Sequence, residues 1–377
     1  MKNIEIKTYH VIGTYFGFAS LGMAFGSWAM LVPFAKDRLH VNHSQLGFML
    51  LAIALGAVVS MFFTGILSAR FGCRPIITVS AAAMTAMLPV LASAESIHIM
   101  IAAMFILGSG MGMLDVALNI QGALSESGTN KHLMSGFHSM YSFGVFFGII
   151  FMTIFFNMGL KPLQASIVTA MILLVIILLL IKTTLTAGGD TPKKLFTKPS
   201  RILFVLGIVC FIAYVSEGVI LDWSALFMIE SRNVLPENAG YAFSLFYLTM
   251  GIFRLAGDRI AQRLSEKSIM TLSSVSAVAG ILIMLFIPAK SMAFVGFAVA
   301  GGGLANIVPV TVSAAGKYRG NMPVNIAVSS VATVGYFGTL LGPVVMGIVS
   351  KAIGISAAFA GVAAIILIIA VLSRGLK

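Results

Sequence analysis

Charge is scarce in this chain. Only 10% of the 377 residues are Asp, Glu, Lys or Arg, and just 12 of these are acids. Soluble domains carry about 25% charged residues, so a water-soluble fold is excluded. Cysteine is nearly absent. Cys73 and Cys210 are the only two, one expected in a cytoplasmic loop and one inside a helix, which excludes a disulfide framework and implies no metal site. The sequence also lacks a His-Glu-x-x-His helix, a nucleophile elbow, a Walker loop and closely spaced carboxylate pairs inside apolar runs. Those gaps argue against a membrane-embedded enzyme and an ATP-driven pump, and no cofactor is expected. The net charge of +12 does not indicate nucleic acid, because the basic residues are scattered through short loops with no interleaved aromatics.

Apolar sequence is abundant. Hydrophobic residues make up 59% of the chain, in runs too long for the strands of a barrel, so the class is an all-α integral membrane protein. Twelve spans are predicted, near residues 9–34, 44–68, 75–93, 97–121, 134–157, 162–183, 201–228, 239–258, 268–287, 291–315, 324–350 and 354–373. The first run has no small-residue cleavage site and continues as a full span, so a cleavable signal peptide is not expected. With both termini in the cytoplasm, 18 of the 24 Lys and Arg fall inside and 6 outside. The positive-inside rule thus orients the chain, and an inner-membrane location is expected.

The polar, basic stretch 184–200, TLTAGGDTPKKLFTKPS, divides the chain into an N-terminal bundle (1–183), a cytoplasmic linker (184–200) and a C-terminal bundle (201–377). The two bundles read as repeats. The only tryptophans, Trp28 and Trp223, lie 195 residues apart, each a few residues after a glycine, Gly22 or Gly218. Phe143-Gly144-x3-Gly148 recurs as Phe337-Gly338-x3-Gly342, and Gly112-x2-Asp115 recurs as Gly303-x2-Asn306. Gly65 answers Gly257-Asp258-Arg259. Six spans per half is an even number, so the halves share one orientation. Parallel repeats of this kind place a solute site between them near the bilayer midplane. The expected architecture is therefore twelve transmembrane helices in two pseudo-symmetric six-helix bundles.

One stretch, Ile106 to Gly122, organises the N-terminal half. At helical spacing it sets Gly108, Gly112, Asp115, Asn119 and Gly122 on a single face. The glycines permit close backbone approach. The carboxylate then faces protein or water, because at bilayer depth it costs about 2.5–3.5 kcal/mol on insertion scales. A structural Asp bonded to a neighbouring helix is the plainer alternative.

At Gly65-Ile-Leu-Ser-Ala-Arg-Phe-Gly-Cys-Arg74 the chain resembles the major facilitator superfamily, whose loop between helices 2 and 3 reads roughly G-x-L-x-D-R-x-G-R-R. Gly65, Leu67, Arg70, Gly72 and Arg74 match, and the aspartate position is Ala69. The resemblance implies a gating role for Gly65, Arg70, Gly72 and Arg74, with Asp258 and Arg259 as the second-half counterpart. Asp115-x3-Asn119-Ile-Gln-Gly, Phe137-His138-Ser139 and Glu217-Gly218-x3-Asp222-Trp223-Ser224 are similar to YbjJ-like bacterial inner-membrane members. The segment Leu114-Asp115-Val116-Ala117-Leu118-Asn119 is similar to the fucose–proton symporter branch, where the acid carries the coupling proton. That likeness implies the same role for Asp115.

The residues support a compatible chemistry. Asp115 and Glu217 are the acids placed well inside spans, where burial disfavours the charged form of a carboxyl. Asp115 is the expected principal proton carrier, and Glu217 a second titrating group, a solute ligand, or a glutamate locked to a neighbouring helix. Asn119, His138, Tyr141, Tyr214 and Asn306 are candidate solute ligands, His138 being alternatively a satisfied hydrogen-bonding group. Trp28 and Trp223 read as interfacial belt anchors or as stacking platforms for a sugar-like ring. Pro309, one turn after Asn306, frees a backbone carbonyl and permits bending. Gly144, Gly148, Gly338 and Gly342 read as tight-packing positions. The function expected is secondary transport of a small polar solute, such as a sugar or metabolite, coupled to protons, by a monomer in the lipid bilayer. A proton-driven exporter of the same fold and a non-transporting sensor are the competing readings.

Overall fold

A computed structural model describes residues 6–129, 133–187, 201–261, 263–318 and 324–375. Thirteen α-helices cover most of that length: α1 Thr8–Arg38, α2 His43–Phe71, α3 Cys73–Ser93, α4 Ile97–Thr129, α5 Met134–Asn157, α6 Pro162–Thr183, α7 Arg201–Arg232, α8 Gly240–Ala261, α9 Glu266–Phe286, α10 Lys290–Leu304, α11 Ile307–Lys317, α12 Val324–Ile353 and α13 Ile355–Leu372. Among the described residues, twelve helical stretches are long and apolar enough to cross a membrane, with α10 and α11 together forming the tenth. Helix is the form such runs must take in lipid, since it satisfies every backbone group internally. The outward faces are apolar: Val175 and Leu178 on α6 and Val371 on α13 are more than half exposed. That pattern suits hydrocarbon as the solvent.

The chain forms two compact units, one comprising Met1–Val41 with Met49–Pro192 and the other Asn42–Phe48 with Lys193–Lys377. In the first, α1 packs on α5, α3 on α4 and α3 on α6. In the second, α7 packs on α12, α9 on α10 and α9 on α13. The pairing pattern is thus the same in both, as a duplicated bundle requires. Glycine sets the closest crossings. Side chains added at Gly22 and Gly26 would strike the backbone of Tyr141 and Val145. Added at Gly144 and Gly148 they would strike Ala19 and Met23, so α1 and α5 meet backbone to backbone. Gly338 approaches the Phe211 carbonyl in the same way, and Gly342 faces Val215.

A second repeated device was not visible in the sequence. The Arg38 guanidinium, at the end of α1, donates to the carbonyls of Leu91, Ala92 and Ala94 at 2.7, 2.8 and 2.9 Å. Arg232, at the end of α7, donates to the carbonyls of Met284 and Leu285. Each arginine caps the last turn of the third helix of its unit, where carbonyls lack helical donors.

Three expectations are corrected. Cys73 opens α3 and is fully buried rather than lying in a loop, and Cys210 is buried as well. Trp28 and Trp223 are both 0% exposed, so neither is an interfacial anchor. Arg254, one of the 18 Lys and Arg assigned by sequence to the inner side, sits within α8 and is 9% exposed. Residues 188–200, most of the linker, lie outside the described residues.

Candidate functional site

In the first unit, Gly108 and Gly112 lie against the backbone of α2 at Ile53 and Ala57. Asp115 is the next residue along that face, half-buried. Asn119, one turn on, donates its side-chain N–H to the Asp115 carbonyl at 2.9 Å and to its carboxylate at 3.1 Å. The pair is a braced carboxylate whose rotamer is held by its own helix. Gln121 behaves differently. It is fully buried, donates to the Thr14 hydroxyl at 2.9 Å and accepts from the Leu185 N–H at 2.9 Å. It staples α1 and α4 to the chain leaving α6 and has a structural role. His138 and Tyr141, one turn apart on α5, are half-buried and bonded. The His138 ring lies 5.0 Å from that of Phe18.

The loop motif also belongs to this unit. Gly72 has a φ of +86°, and a side chain there would collide with the Thr186 carbonyl. Only glycine fits both conditions. Arg74 donates through its guanidinium to the Thr184 carbonyl at 2.8 and 3.1 Å, and through its backbone N–H to the Leu185 carbonyl at 2.8 Å. The motif therefore clamps the turn between α2 and α3 to the exit of α6. Arg70 lies over the Phe71 ring at 5.1 Å, and Gly65 has open space beside it. Arg259 is exposed on α8, and the Asp258 side chain lies outside the described residues.

In the second unit the polar residues converge on α7, α8 and the break between α10 and α11. Glu217 is paired with Arg254 at 3.3 Å, with side-chain exposures of 15% and 10%. The same guanidinium donates through Nε to the Ala305 carbonyl at 3.4 Å. That carbonyl is available because Pro309, four residues on, has no N–H to give it. The helix breaks there, at Ala305–Asn306. Asn306 is 5% exposed and donates to the Phe253 carbonyl at 3.3 Å. It also borders a groove of about 440 Å³ shared with Phe253, Leu272 and Gly302. Below Glu217 on the same face, Tyr214 stacks on Tyr336 of α12, with centroids 5.5 Å apart. Nearer the other end of α7, the His43 imidazole meets the Glu230 carboxylate at 3.0 Å and the edge of Trp223 at 5.5 Å between ring centroids.

Arg254 is the candidate site residue that the sequence left unmarked. Its signal was an arginine inside the predicted span 239–258, a position that is costly unless a partner waits for it. No group of three or more His, Cys, Asp or Glu able to hold a metal occurs among the described residues.

A helical membrane protein of two like-patterned units, each lined with a few paired polar side chains, has the build of a solute carrier. The model of the Major Facilitator Superfamily matches residues 14–231 and 203–376, and the chain belongs to that family. It is 35% identical over 364 residues to an uncharacterized MFS-type transporter of Yersinia pestis, covering 96% of this chain and 94% of the relative. It is 26% identical to the membrane protein MosC of Rhizobium meliloti, covering 97% and 89%. Its fold matches the nucleoside transporter NupG, in a mutant form, with a TM-score of 0.77 at 13% identity, covering 98% of this chain and all of the other. A bacterial homolog of the human lysosomal transporter Spinster matches with a TM-score of 0.76 at 13% identity, covering 98% and 97%. The protein is a multi-pass membrane transporter of small molecules.

Proposed function

We propose that the protein is a proton-coupled secondary transporter of a small polar organic solute, sugar-like or metabolite-like, working by alternating access in the bacterial inner membrane with both termini cytoplasmic. The observation that carries the solute class is the Glu217–Arg254 pair. A carboxylate and a guanidinium side by side offer both acceptors and donors at no net charge, which suits a neutral, hydrogen-bonding solute. Tyr214, on the same face of α7, adds an aromatic surface, and Asn119, His138, Tyr141 and Asn306 are further candidate ligands. Trp28 and Trp223, both buried, would pack within their units rather than meet the solute directly. NupG, whose fold the chain shares, is a nucleoside transporter, and a small solute is in keeping with that.

Asp115 is the proposed proton carrier. Its place in α4 and the likeness of that segment to the fucose–proton symporter branch support the role. Protonation removes a charge that would resist enclosure in a dry state. The membrane potential adds about 2.3 kcal/mol per charge per 100 mV, enough to drive modest accumulation. Uptake into membrane vesicles under an imposed pH gradient, run across a solute panel, tests both parts. Asp115→Asn should abolish gradient-driven uptake while leaving solute exchange. Undiminished gradient-driven uptake by that variant would remove Asp115 from the mechanism.

A further inference from the structure

Two of the three acids of α7, Glu217 and Asp222, sit five residues apart in opposite settings. Glu217 has the Arg254 guanidinium at 3.3 Å. Asp222 is 8% exposed, its Oδ1 is wholly buried without a hydrogen-bond partner, and no hydrogen bond or ion pair joins it to any described residue. From this contrast we propose that Asp222 is a proton-loading carboxyl, distinct from Asp115, and that the exchangeable proton of α7 sits on Asp222, away from the Glu217–Arg254 pair. The proposal deepens the proton-coupled reading and rests on it.

The argument is one of solvation. A carboxylate removed from water needs a counter-charge or donors in return. Glu217 has one and Asp222 has neither. A proton on Asp222 cancels the charge without any rearrangement of the helices. The ionisable groups on the elements packed against α7 do not supply an alternative. From α8 come Tyr241, Tyr247 and Arg254, with Asp258 and Arg259 at its end, and Arg254 is committed to Glu217. α12 brings Tyr336 and Lys351, α10 and α11 only their terminal Lys290 and Lys317, and α13 none. His43, from the segment that contacts α7 at Trp223, is bonded to Glu230. On α7 itself, none of Tyr214, Glu230 and Arg232 is bonded to Asp222.

Access is narrow but present. Asp222 keeps 8% of its surface exposed, and one turn before it on the same face a side chain added at Gly218 would meet nothing within 4 Å. A proton can add to the carboxylate from that exposed edge and leave again by the same route. The exchange is a proton transfer alone and needs no other reactant.

Infrared spectroscopy of the full chain in phospholipid bilayers tests this without any solute. A pH titration should show a protonated-carboxyl C=O band at neutral pH that is lost in Asp222→Asn and displaced in frequency in Asp222→Glu. The band should persist in an Asp115→Asn background, which separates the two acids. A neutral-pH band that survives Asp222→Asn unchanged, or that does not move in Asp222→Glu, would overturn the assignment. So would the lack of any such band in the unsubstituted protein. Because vesicle uptake reads Asp115 and needs a solute, failure there leaves this result standing, and the reverse also holds.

Discussion

Removing both members of the Glu217–Arg254 pair should cost less than the two single removals added together. At an effective dielectric constant near 20, unit charges 3.3 Å apart attract by about 5 kcal/mol. Desolvation offsets most of that in the intact pair, so its net worth is small. The debt falls due when one charge is left alone, at about 3–5 kcal/mol for a buried pair. Glu217→Gln should therefore destabilise by roughly that amount, discounted slightly for the 10% and 15% exposures of the two side chains. Arg254→Met should cost about 1–3 kcal/mol more, because it also strips the donor from the Ala305 carbonyl. The double variant should be less damaged than the sum of the singles, with a coupling of about 2–3 kcal/mol. Unfolding in mixed detergent micelles, followed by helical circular dichroism, measures all four corners of the cycle. A third substitution isolates the carbonyl. Pro309→Ala restores an N–H four residues after Ala305, so in the Arg254→Met background it should return about 1 kcal/mol. Strict additivity of the two charge removals would refute the ion-pair argument. Failure of Pro309→Ala to recover any stability would refute the role given to the carbonyl.

Gly144→Leu should destabilise by about 1–3 kcal/mol or more in the same unfolding assay, because its side chain would enter the Ala19 backbone. Phe147→Ala, on the outward face of the same helix at 46% exposure, should stay within about 0.5 kcal/mol. Outside the spans, the Glu266 hydrogen bond raises the Lys317 pKa above the usual lysine value of 10.5. This contact is then complete below that value and is lost as pH rises through the raised one. Proton NMR of an isotope-labelled lysine should find the shift at low salt, and added salt should shrink it, because the ammonium is exposed.

The helices and the duplication were legible because lipid enforces them. A run of apolar residues with no water to satisfy its backbone has one solution, and twelve such runs with matched glycines 191 to 196 residues apart leave little choice of fold. The glycine face of the fourth span was readable for the same reason, since Gly108 and Gly112 do meet a backbone. What stayed hidden were the partners of charges. Arg254 looked like an inner-side arginine because it lies near the end of an apolar run, and only the packed structure sets it beside Glu217. Trp28 and Trp223 looked interfacial because composition reports that aromatic residues favour membrane surfaces and says nothing of which side of the helix they take. Arg38 and Arg232, 194 residues apart, escaped notice because their partners are bare carbonyls, which leave no mark in side-chain identity.

Set side by side, the two units keep the same packing and differ in their polar chemistry, and the difference has a physical order. Backbone contacts such as Gly144 on Ala19 and Gly338 on Phe211 tolerate no substitution, because any added atom collides. The arginine caps on α3 and α9 are nearly as constrained, since an uncapped helix end in an apolar surround leaves carbonyls unpaired. Charges inside a unit are freer, provided each loss is matched. The position answering Asp115 holds Asn306, which carries no charge and needs no counter-ion. Glu217 is balanced by Arg254. Among the described residues, Asp222 in α7 has no hydrogen-bond or ion-pair partner, and the proton is the one counter-charge that fits without new side chains. A duplicated carrier can thus hold its scaffold fixed and change its cargo or coupling by exchanging whole charge pairs. On this argument the residue most sensitive to such exchange in α7 is Asp222, where any fixed cation introduced nearby would displace the proton.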